Sequence, residues 1–565
     1  MTFKSILEER EGRFYIFLGI WVLLNLVQSV TTGLFHDEAL YWAFSEEPAF
    51  GYFDHPPFTA WLIALTSWIP GDLGVRLPFI LMSAGTMYFL WKILDPRDEW
   101  LFIAILVGVP LIHVGGFFAA PDVPLLFLMT AFLYYYKSYF YKDSIPLALL
   151  LGLLLGLMGI SKYHAILFAI ALALSNIEMF KRRSLYLGLL VAAIVVLPHI
   201  YWQWQNDWVS FQFHLFSRRG TQPWSWSFFG DYLAGQIGIY GLFLAGVLFA
   251  ASIKKPPGDH YDCAYKYTFF TVFIFFTLSV FKGRVEANWT AMAFIPMAYL
   301  TYLYVKERPN WRRWLMYFAG FSLILTLMIR FVLAFEVLPP DLMKRNETHG
   351  FEEWAKKLEA EANGAPVVFT NNYRKPAKYS YYTGQPTYSW NMAKYSGNQY
   401  DLWTEDEIAL QGERVLMASD ELDTENKIEF DHGIGPEKIR QISRWYSFNY
   451  LDIKADPPSE AITSELEAGL EITITNTTDF RPVSGGEAVQ VQAVFLQYEK
   501  IKKTSILIAD LDVESIDPEG EMKRRVSFTY PEEPGEYTLK FSILSNGFPG
   551  LNSWPYEVSV KEAGE

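Results

Sequence analysis

The sequence contains a single cysteine, Cys263, among 565 residues. One thiol excludes an intramolecular disulfide framework and a metal site built from several thiolates. The chain also lacks a basic excess, because its formal net charge is −14 at pH 7. This charge balance argues against nucleic acid as a partner.

Apolar residues are abundant: 51% of the chain is hydrophobic and 17% is aromatic. These fractions are high for a soluble protein, and the length exceeds that of one ordinary domain. Acidic residues concentrate toward the C-terminus, with a net charge of −16 over residues 341–565 and +2 over the residues before them. The composition therefore predicts a membrane protein with an acidic soluble appendage.

Apolar segments near the roughly 20 residues that a membrane-spanning helix needs follow one another along the first 338 residues. We count about eleven by this criterion, at 14–34, 75–94, 100–118, 122–137, 145–160, 163–180, 184–204, 231–252, 265–281, 288–305 and 313–336. The first lacks a small-residue cleavage site and precedes many others, which predicts a retained helix instead of a signal peptide. A shorter run, 57–69, ends at a Pro-Gly pair and predicts a re-entrant or interfacial helix.

Lysines and arginines of the short connections predict the orientation. If the N-terminus is cytoplasmic, the basic clusters all fall on its side, as the positive-inside rule requires. These clusters lie at 4–13, 92–97, 137–142, 181–183, 254–255 and 306–313. The opposite, outer side then receives the connections with unusual chemistry. An odd number of spans also places the acidic C-terminal region there.

The C-terminal third changes pattern twice. A helix-like piece around 351–361 precedes a buried strand at 365–370, which predicts a mixed α/β region. After Asp456-Pro457-Pro458 the chain shows short alternating strands separated by turns, as in LEITITNTT and GEYTLKFSIL. We therefore predict a multi-span α-helical membrane domain over 1–338, a soluble mixed α/β region over 339–455 and a small Ig-like β-sandwich over 456–565.

The connection 33–60, GLFHDEALYWAFSEEPAFGYFDHPPFTA, is dense in ionisable residues. Charges so near a bilayer are costly unless a polar cavity or a partner receives them, so they predict a functional site. The adjacent carboxylates of Asp37 and Glu38, beside Tyr41, suit proton abstraction from a hydroxyl group. The alternative is that Asp37 only caps a short helix starting near Glu38.

Two further acids and an imidazole are predicted on the outer side. Asp54 and His55 stand before a Pro-Pro pair that fixes the exit of the chain from a turn, and a purely structural role is the alternative. Asp122 lies between prolines at the outer start of a span, where a helix N-cap is an equal explanation.

Lysines and arginines on the outer side are unexpected, because the positive-inside rule places such residues on the cytoplasmic side. An anionic phosphate at the bilayer surface would supply one, since lysine and arginine bind phosphate by charge and by fork geometry. Snorkelling anchors and an interfacial aromatic belt are the alternatives. The residues concerned are Lys162; Lys282, Arg284 and the acidic Glu286; and His214, Arg218 and Arg219 of an aromatic-rich loop.

Taken in order, six segments resemble the bacterial multi-span glycosyltransferases of GT-C architecture. They are HDEALYW, GYFDHPPFTAWLI, APDVPLLF, SKYHA, PHIYWQWQNDWVSFQFHL and GRVEANW. The resemblance covers about residues 10–335 and is closest to the lipid A aminoarabinose transferases and the protein O-mannosyltransferase-like enzymes. It implies a sugar donor carried on a polyprenyl phosphate, inversion at the anomeric carbon, and an active site facing the periplasm or exterior.

By this resemblance Asp37 matches the catalytic carboxylate of the first outer loop, and Asp122 matches an acid of the second. The aminoarabinose branch has Phe-Glu-Lys-Pro where this chain has Phe-Asp-His-Pro, with the acid near a metal and the lysine near the donor phosphate. Asp54 is therefore the candidate metal ligand and His55 a candidate phosphate ligand. That branch has an arginine where Leu40 stands, so the sugar need not be aminoarabinose.

The expected function is an inverting glycosyltransferase of the bacterial cytoplasmic membrane that uses a polyprenyl-phosphate-linked sugar and a lipid, glycan or protein acceptor. We expect Asp37 and Glu38 to be catalytic. The expected phosphate ligands are His55, Lys162, Arg218, Arg219, Lys282 and Arg284, and the expected substrate contacts are Tyr41, Asp54, Asp122, His214 and Glu286. The sequence does not identify a cofactor, and a divalent metal is one option. Two alternative functions are a multi-span transporter of lipid-linked or envelope substrates and a membrane-anchored binding protein. A transporter would have charged residues near the middle of the bilayer and broken helices in both halves. A membrane-anchored binding protein would need far fewer than eleven spans.

Overall fold

A computed structural model describes residues 9–217, 224–337, 346–430, 434–457, 459–462, 467–498 and 500–562. The chain forms two compact units. The helical unit comprises 1–208, 224–339 and 347–349, and the C-terminal unit comprises 209–223, 340–346 and 350–565. The predicted three-domain division, with boundaries at 338 and 455, stays a prediction.

Up to residue 334 the described chain is helical. Its helices are α1 (Arg10–Thr31), α2 (His36–Glu46), α3 (Phe58–Ala64), α4 (Asp72–Leu94), α5 (Glu99–Val107), α6 (Pro110–Val114), α7 (Asp122–Tyr141), α8 (Ile145–Gly159), α9 (Ala165–Ser175), α10 (Arg183–Gln205), α11 (Val209–Gln212), α12 (Trp226–Tyr240), α13 (Leu244–Lys254), α14 (His260–Ser279), α15 (Phe294–Val305) and α16 (Pro309–Ala334). Helix α11 belongs to the C-terminal unit.

Each of the eleven predicted segments coincides with helix, but three of them are broken. Segment 163–180 divides at Asn176 into α9 and a 3₁₀ helix, Ile177–Lys181. Segment 100–118 divides into α5 and α6, and segment 231–252 divides into α12 and α13, which meet at an angle of 93°. By length and composition four described helices can span a membrane, α1, α4, α10 and α16, or five if α12 and α13 form one span. The count of eleven spans therefore stays a prediction.

Helices α8 and α10 pack closely through two glycines. A methyl group at Gly152 would overlap the carbonyl oxygen of Gly188, and one at Gly188 would overlap that of Ala148. Small residues of this kind let helix backbones approach each other within a bilayer.

Gly152→Ala is expected to destabilise the helical unit by about 1–3 kcal/mol, because the added methyl forces α8 and α10 apart. Gly19→Ala is the matched control, since nothing lies within 4 Å of that position on α1, and it should be neutral or slightly stabilising. Thermal unfolding of the detergent-solubilised protein measures both. Equal melting temperatures for the two variants would contradict the packing argument.

The C-terminal unit begins with a five-stranded sheet of order β2-β1-β3-β5-β4. Strand β1 is parallel to β2 and β3, whereas β5 is antiparallel to β3. The elements are α17 (Phe351–Ala362), β1 (Val367–Thr370), α18 (Arg374–Thr383), β2 (Thr387–Trp390), α19 (Thr404–Ala409), β3 (Val415–Ala418), β4 (Lys427–Ile428) and β5 (Glu437–Ile442). The buried strand predicted at 365–370 corresponds to β1.

Two further sheets share one apolar core, which includes Ile453, Ile472, Phe495 and Leu539. Their orders are β10-β9-β12-β14-β7, with β13 beside β12, and β11-β8-β6. The strands are β6 (Leu451–Ala455), β7 (Glu460–Ile462), β8 (Glu467–Asn476), β9 (Val491–Gln497), β10 (Lys500–Ile508), β11 (Glu521–Thr529), β12 (Gly535–Ser545), β13 (Phe548–Pro549) and β14 (Tyr556–Lys561). Strand β6 thus pairs with a sandwich strand although it precedes residue 456.

Two buried carboxyl groups follow β2 in this unit. Oδ2 of Asp401 accepts hydrogen bonds from Nδ2 of Asn391 at 2.8 Å and from the backbone N of Asn398 at 2.7 Å. Oε1 of Glu407 accepts one from the backbone N of Asn449 at 2.9 Å. Burial raises the pKa of Asp401 to about 7 and the pKa of Glu407 to about 7.

The stability of the C-terminal unit is therefore expected to fall as pH rises from about 4 to about 7. In that window the unfolded chain releases the two protons while the folded chain keeps them, so deprotonation favours unfolding. Hydrogen exchange of residues 387–410 in the full-length protein, corrected for intrinsic rates, should show weaker protection at pH 8 than at pH 5.5. Asp401→Asn and Glu407→Gln should each reduce this difference, and a pH-independent protection would contradict the expectation.

Candidate active site

The connection after α1 folds back into α2 and α3. Helix α2 begins at His36, and Oε2 of Glu38 accepts a hydrogen bond from the backbone N of Phe35 at 3.0 Å. Asp37 lies in the same first turn with its side chain exposed. The helix dipole favours a carboxylate at this end.

Glu38 forms a fully buried ion pair with Arg76 of α4. Its Oε1 accepts from Nε of Arg76 at 2.8 Å and from the backbone N of Ala119 at 2.8 Å. Arg76 also donates to the carbonyl oxygens of Ser29 and Gly33, at 2.9 and 3.0 Å. The pair therefore joins the end of α1, the start of α2, helix α4 and the connection before α7.

His55 lies between a carboxylate and a phenol. Its Nδ1 is 2.7 Å from Oδ1 of Asp54, a close electrostatic contact without hydrogen-bond geometry. Its Nε2 is 3.1 Å from the hydroxyl of Tyr41 on α2. His55 therefore has an oxygen atom beside each of its two ring nitrogens.

Asp122, at the start of α7, holds two residues from distant connections. Nζ of Lys162 lies 2.7 Å from its Oδ1, and Nδ2 of Asn288 donates to its Oδ2 at 3.2 Å. The side chains of the Asp122–Lys162 pair are only 13% and 14% exposed. Partial burial limits solvent screening, so this ion pair is stronger than an exposed one.

Two more contacts bring together the connections that were predicted to lie on the outer side. The backbone N of Phe58 donates to the carbonyl of Ile160 at 3.1 Å, and the rings of Phe35 and Phe118 meet edge to face at 5.0 Å. With the bonds of Glu38 and Asp122, these contacts unite four connections of the helical unit. We call the result the outer cluster, which consists of Asp37, Glu38, Tyr41, Asp54, His55, Asp122, Lys162 and Asn288.

The remaining predicted site residues lie elsewhere. Lys282 is exposed, and Arg284 pairs with Glu286 at 3.2 Å on the connection that also carries Asn288. His214 lies in a π-helical turn, Phe213–Ser217, that belongs to the C-terminal unit. Arg218 and Arg219 lie outside the described residues.

Sequence reasoning missed several of the residues that hold the cluster. Arg76 lies inside the predicted span 75–94. A charged side chain within a bilayer is energetically unfavourable, and this could have indicated that Arg76 has a functional or structural partner. Asn288 lies in the quoted segment GRVEANW, but it was not predicted as a site residue. His199 of α10 was also missed, and its Nδ1 lies 2.7 Å from the carbonyl of Phe50 while its Nε2 lies 3.1 Å from the hydroxyl of Tyr163.

The donor set around Asp54 does not fit a resident divalent metal. Among the described residues no three His, Cys, Asp or Glu side chains group closely enough to hold an ion. Beside Asp54 lies His55, whose nearer nitrogen faces the carboxylate itself. We therefore derive no step through a metal.

Three kinds of comparison with known proteins bear on the resemblance to glycosyltransferases. Residues 54–202 match the family described as dolichyl-phosphate-mannose-protein mannosyltransferase. The chain is similar to ArnT from Cupriavidus metallidurans bound to undecaprenyl phosphate, with a TM-score of 0.55 and 14% identity over 77% of this chain and 98% of ArnT. For apo ArnT the TM-score is 0.53, with 14% identity over 73% and 93%. The chain thus has the fold of ArnT, and the predicted fold class is confirmed apart from the number of spans.

Two curated relatives have names that give a specific activity. The chain is 29% identical to the lipid A galacturonosyltransferase RgtD of Rhizobium johnstonii over 286 residues, 47% of this chain and 59% of RgtD. It is 28% identical to the lipopolysaccharide core galacturonosyltransferase RgtA of the same organism over 203 residues, 33% of this chain and 41% of RgtA. The chain thus spans about half the length of these relatives. Together the comparisons confirm the resemblance to GT-C glycosyltransferases of a multi-pass membrane type.

Proposed function

We propose that the protein is an inverting glycosyltransferase of the bacterial inner membrane. It moves a sugar from a polyprenyl-phosphate donor to a hydroxyl group of an envelope lipid, glycan or protein. The observation that carries this proposal is the outer cluster, in which four separate connections bring carboxylates and cations together. A carboxylate base for the acceptor proton and cations for the donor phosphate are the two requirements of the reaction.

Asp37 is the proposed general base. The acceptor oxygen attacks the anomeric carbon, its proton passes to the Asp37 carboxylate, and the bond to the phosphate oxygen breaks on the opposite face of the sugar. Glu38 is assigned a positioning role, because its carboxylate already accepts hydrogen bonds from Arg76, Ala119 and Phe35.

Lys162 and His55 are the proposed phosphate ligands in the outer cluster. Each of these two side chains lies beside a carboxylate that fixes it in place before the donor arrives, and such preorganised groups stabilise the charge that develops on the leaving phosphate. Further proposed phosphate ligands are Lys282, Arg284, Arg218 and Arg219. The proposed substrate contacts are Tyr41, Asp54, Asp122, His214 and Glu286.

The names of the relatives suggest which substrates to test first. RgtD is a lipid A galacturonosyltransferase, and one ArnT structure contains undecaprenyl phosphate. We propose a uronic acid on a polyprenyl phosphate as the donor and lipid A as the acceptor. The N-terminus would be cytoplasmic and the C-terminal unit periplasmic, which fusions to alkaline phosphatase at the two ends can test.

The activity test uses the full-length protein in detergent with undecaprenyl-phosphate-linked galacturonic acid and lipid A. Mass spectrometry is expected to find lipid A heavier by one uronosyl residue and a stoichiometric release of undecaprenyl phosphate. If neither lipid A nor another envelope glycan or glycoprotein gains a sugar when the protein is added, the proposed function is wrong.

A further inference from the structure

Arg330 is a buried cation near the C-terminal end of α16, with 4% of its surface exposed. Its Nε donates to Oε1 of Gln28 at 3.1 Å, its Nη1 to the carbonyl of His113 at 3.2 Å, and its Nη2 to Oδ1 of Asn25 at 2.9 Å. All three acceptors are neutral. None of the ion pairs recorded between described residues includes Arg330.

Arg76 provides a direct comparison, because both guanidinium groups pack on the ring of Phe117, at 5.5 Å for Arg76 and 5.2 Å for Arg330. Arg76 is balanced by the carboxylate of Glu38. The two arginines and this one carboxylate therefore carry a net positive charge. A buried cation without a counter-charge is costly, so this charge calls for an explanation.

Arg330 packs against a connection that also contributes to the outer cluster. Phe117 belongs to the connection that binds Glu38 through the backbone N of Ala119. Three residues later the same connection reaches Asp122, which is paired with Lys162. Arg330 thus lies against the segment that carries the site without belonging to the site itself.

Three pairs of the outer cluster and its support join a basic to an acidic side chain: Lys162 to Asp122, His55 to Asp54, and Arg76 to Glu38. Each of these basic side chains has a carboxylate within 3 Å, which reduces its attraction for a second anion. The fourth carboxylate of the outer cluster, Asp37, is exposed to solvent, which screens its charge. The Arg330 charge is not reduced in this way. An anion entering the outer cluster would supply the missing counter-charge.

We infer that Arg330 is a positioning residue for the donor, whose uncompensated charge stabilises the phosphate of a polyprenyl-phosphate lipid in the outer cluster. This inference rests on the proposed function, because it assumes that such a lipid binds there. Arg330 acts on the donor phosphate through its electrostatic field, across the region around Phe117, and it contacts no substrate. At a separation on the order of 10–15 Å and an intermediate effective dielectric, one unit charge changes anion affinity by about tenfold.

The test measures binding of undecaprenyl phosphate to the full-length protein in detergent, with uncharged undecaprenol as the second probe. Arg330→Gln keeps an amide donor and loses the charge, whereas Arg330→Lys keeps the charge and loses the fork. We expect Arg330→Gln to weaken phosphate binding about tenfold and Arg330→Lys to remain within about threefold of the natural protein. Undecaprenol should bind all three proteins equally. Arg313→Gln, an exposed arginine on the same helix, is the matched control and should change neither affinity.

Three outcomes would overturn the inference. Arg330→Gln could bind undecaprenyl phosphate as tightly as the natural protein, both substitutions could weaken the two probes alike, or the natural protein could fail to bind the phosphate at all. The first two leave the proposed function intact, and the second would mean that Arg330 only clamps the helices. Charge-dependent binding without any sugar transfer would instead support the inference and contradict the proposed function.

Discussion

A protein with Asp37→Asn is expected to fold and to bind undecaprenyl phosphate, yet to transfer sugar at least 10²-fold more slowly. The amide is nearly isosteric with the carboxylate and keeps an oxygen at the same place, but it cannot accept the proton of the acceptor hydroxyl. General-base catalysis contributes about 10²–10⁴-fold to a rate. Because the side chain is exposed in the first turn of α2, the substitution should leave the stability nearly unchanged.

The measurement is single-turnover transfer at saturating donor, which separates chemistry from binding. Asp72→Asn is the matched control, since Asp72 is a carboxylate in the first turn of α4, and its variant should transfer at the natural rate. If Asp37→Asn retained more than about a tenth of the rate, Asp37 would not be the base.

The second large effect is expected for Arg76→Met, which should destabilise the helical unit by about 3–5 kcal/mol. The substitution leaves the carboxylate of Glu38 buried without its counter-charge. The double variant Glu38→Gln with Arg76→Met should be less destabilised than Arg76→Met alone, because no uncompensated charge remains. Melting temperatures of the four proteins of this cycle measure the coupling.

An exposed ion pair provides the control for that cycle. Lys181 and Glu178 pair across one helical turn with both side chains about three-quarters exposed. Removing such a pair should change stability by about 0–1 kcal/mol. Additive effects of the Glu38 and Arg76 substitutions would mean that the buried pair contributes no specific interaction.

The positions of the helices were predictable because hydropathy is a local property of the chain. Every predicted span coincides with helix, including 145–160 and 184–204. The breaks between α5 and α6 and between α12 and α13 were not predicted, because the residues around them remain apolar and the hydropathy profile runs through them. The pairing of β6 with β8 was missed for a related reason, since a strand before a Pro-Pro pair can join either neighbouring sheet.

The site was predictable in part. The chemistry of Asp54, His55, Asp122 and Lys162 drew attention to them as single residues, and the structure places all four in the outer cluster. The pairing of Asp122 with Lys162 depends on a tertiary contact between connections 40 residues apart, and no pattern in one sequence encodes that. The catalytic roles of these residues stay predictions.

The Glu38–Arg76 ion pair also constrains how the chain enters the membrane. Glu38 leaves the ribosome 38 residues before Arg76, so it must wait in the aqueous channel of the insertion machinery or at the bilayer surface. Neither charge enters lipid cheaply alone. Helices α1 to α4 are thus expected to pass from the translocon into the bilayer as one group and not one at a time.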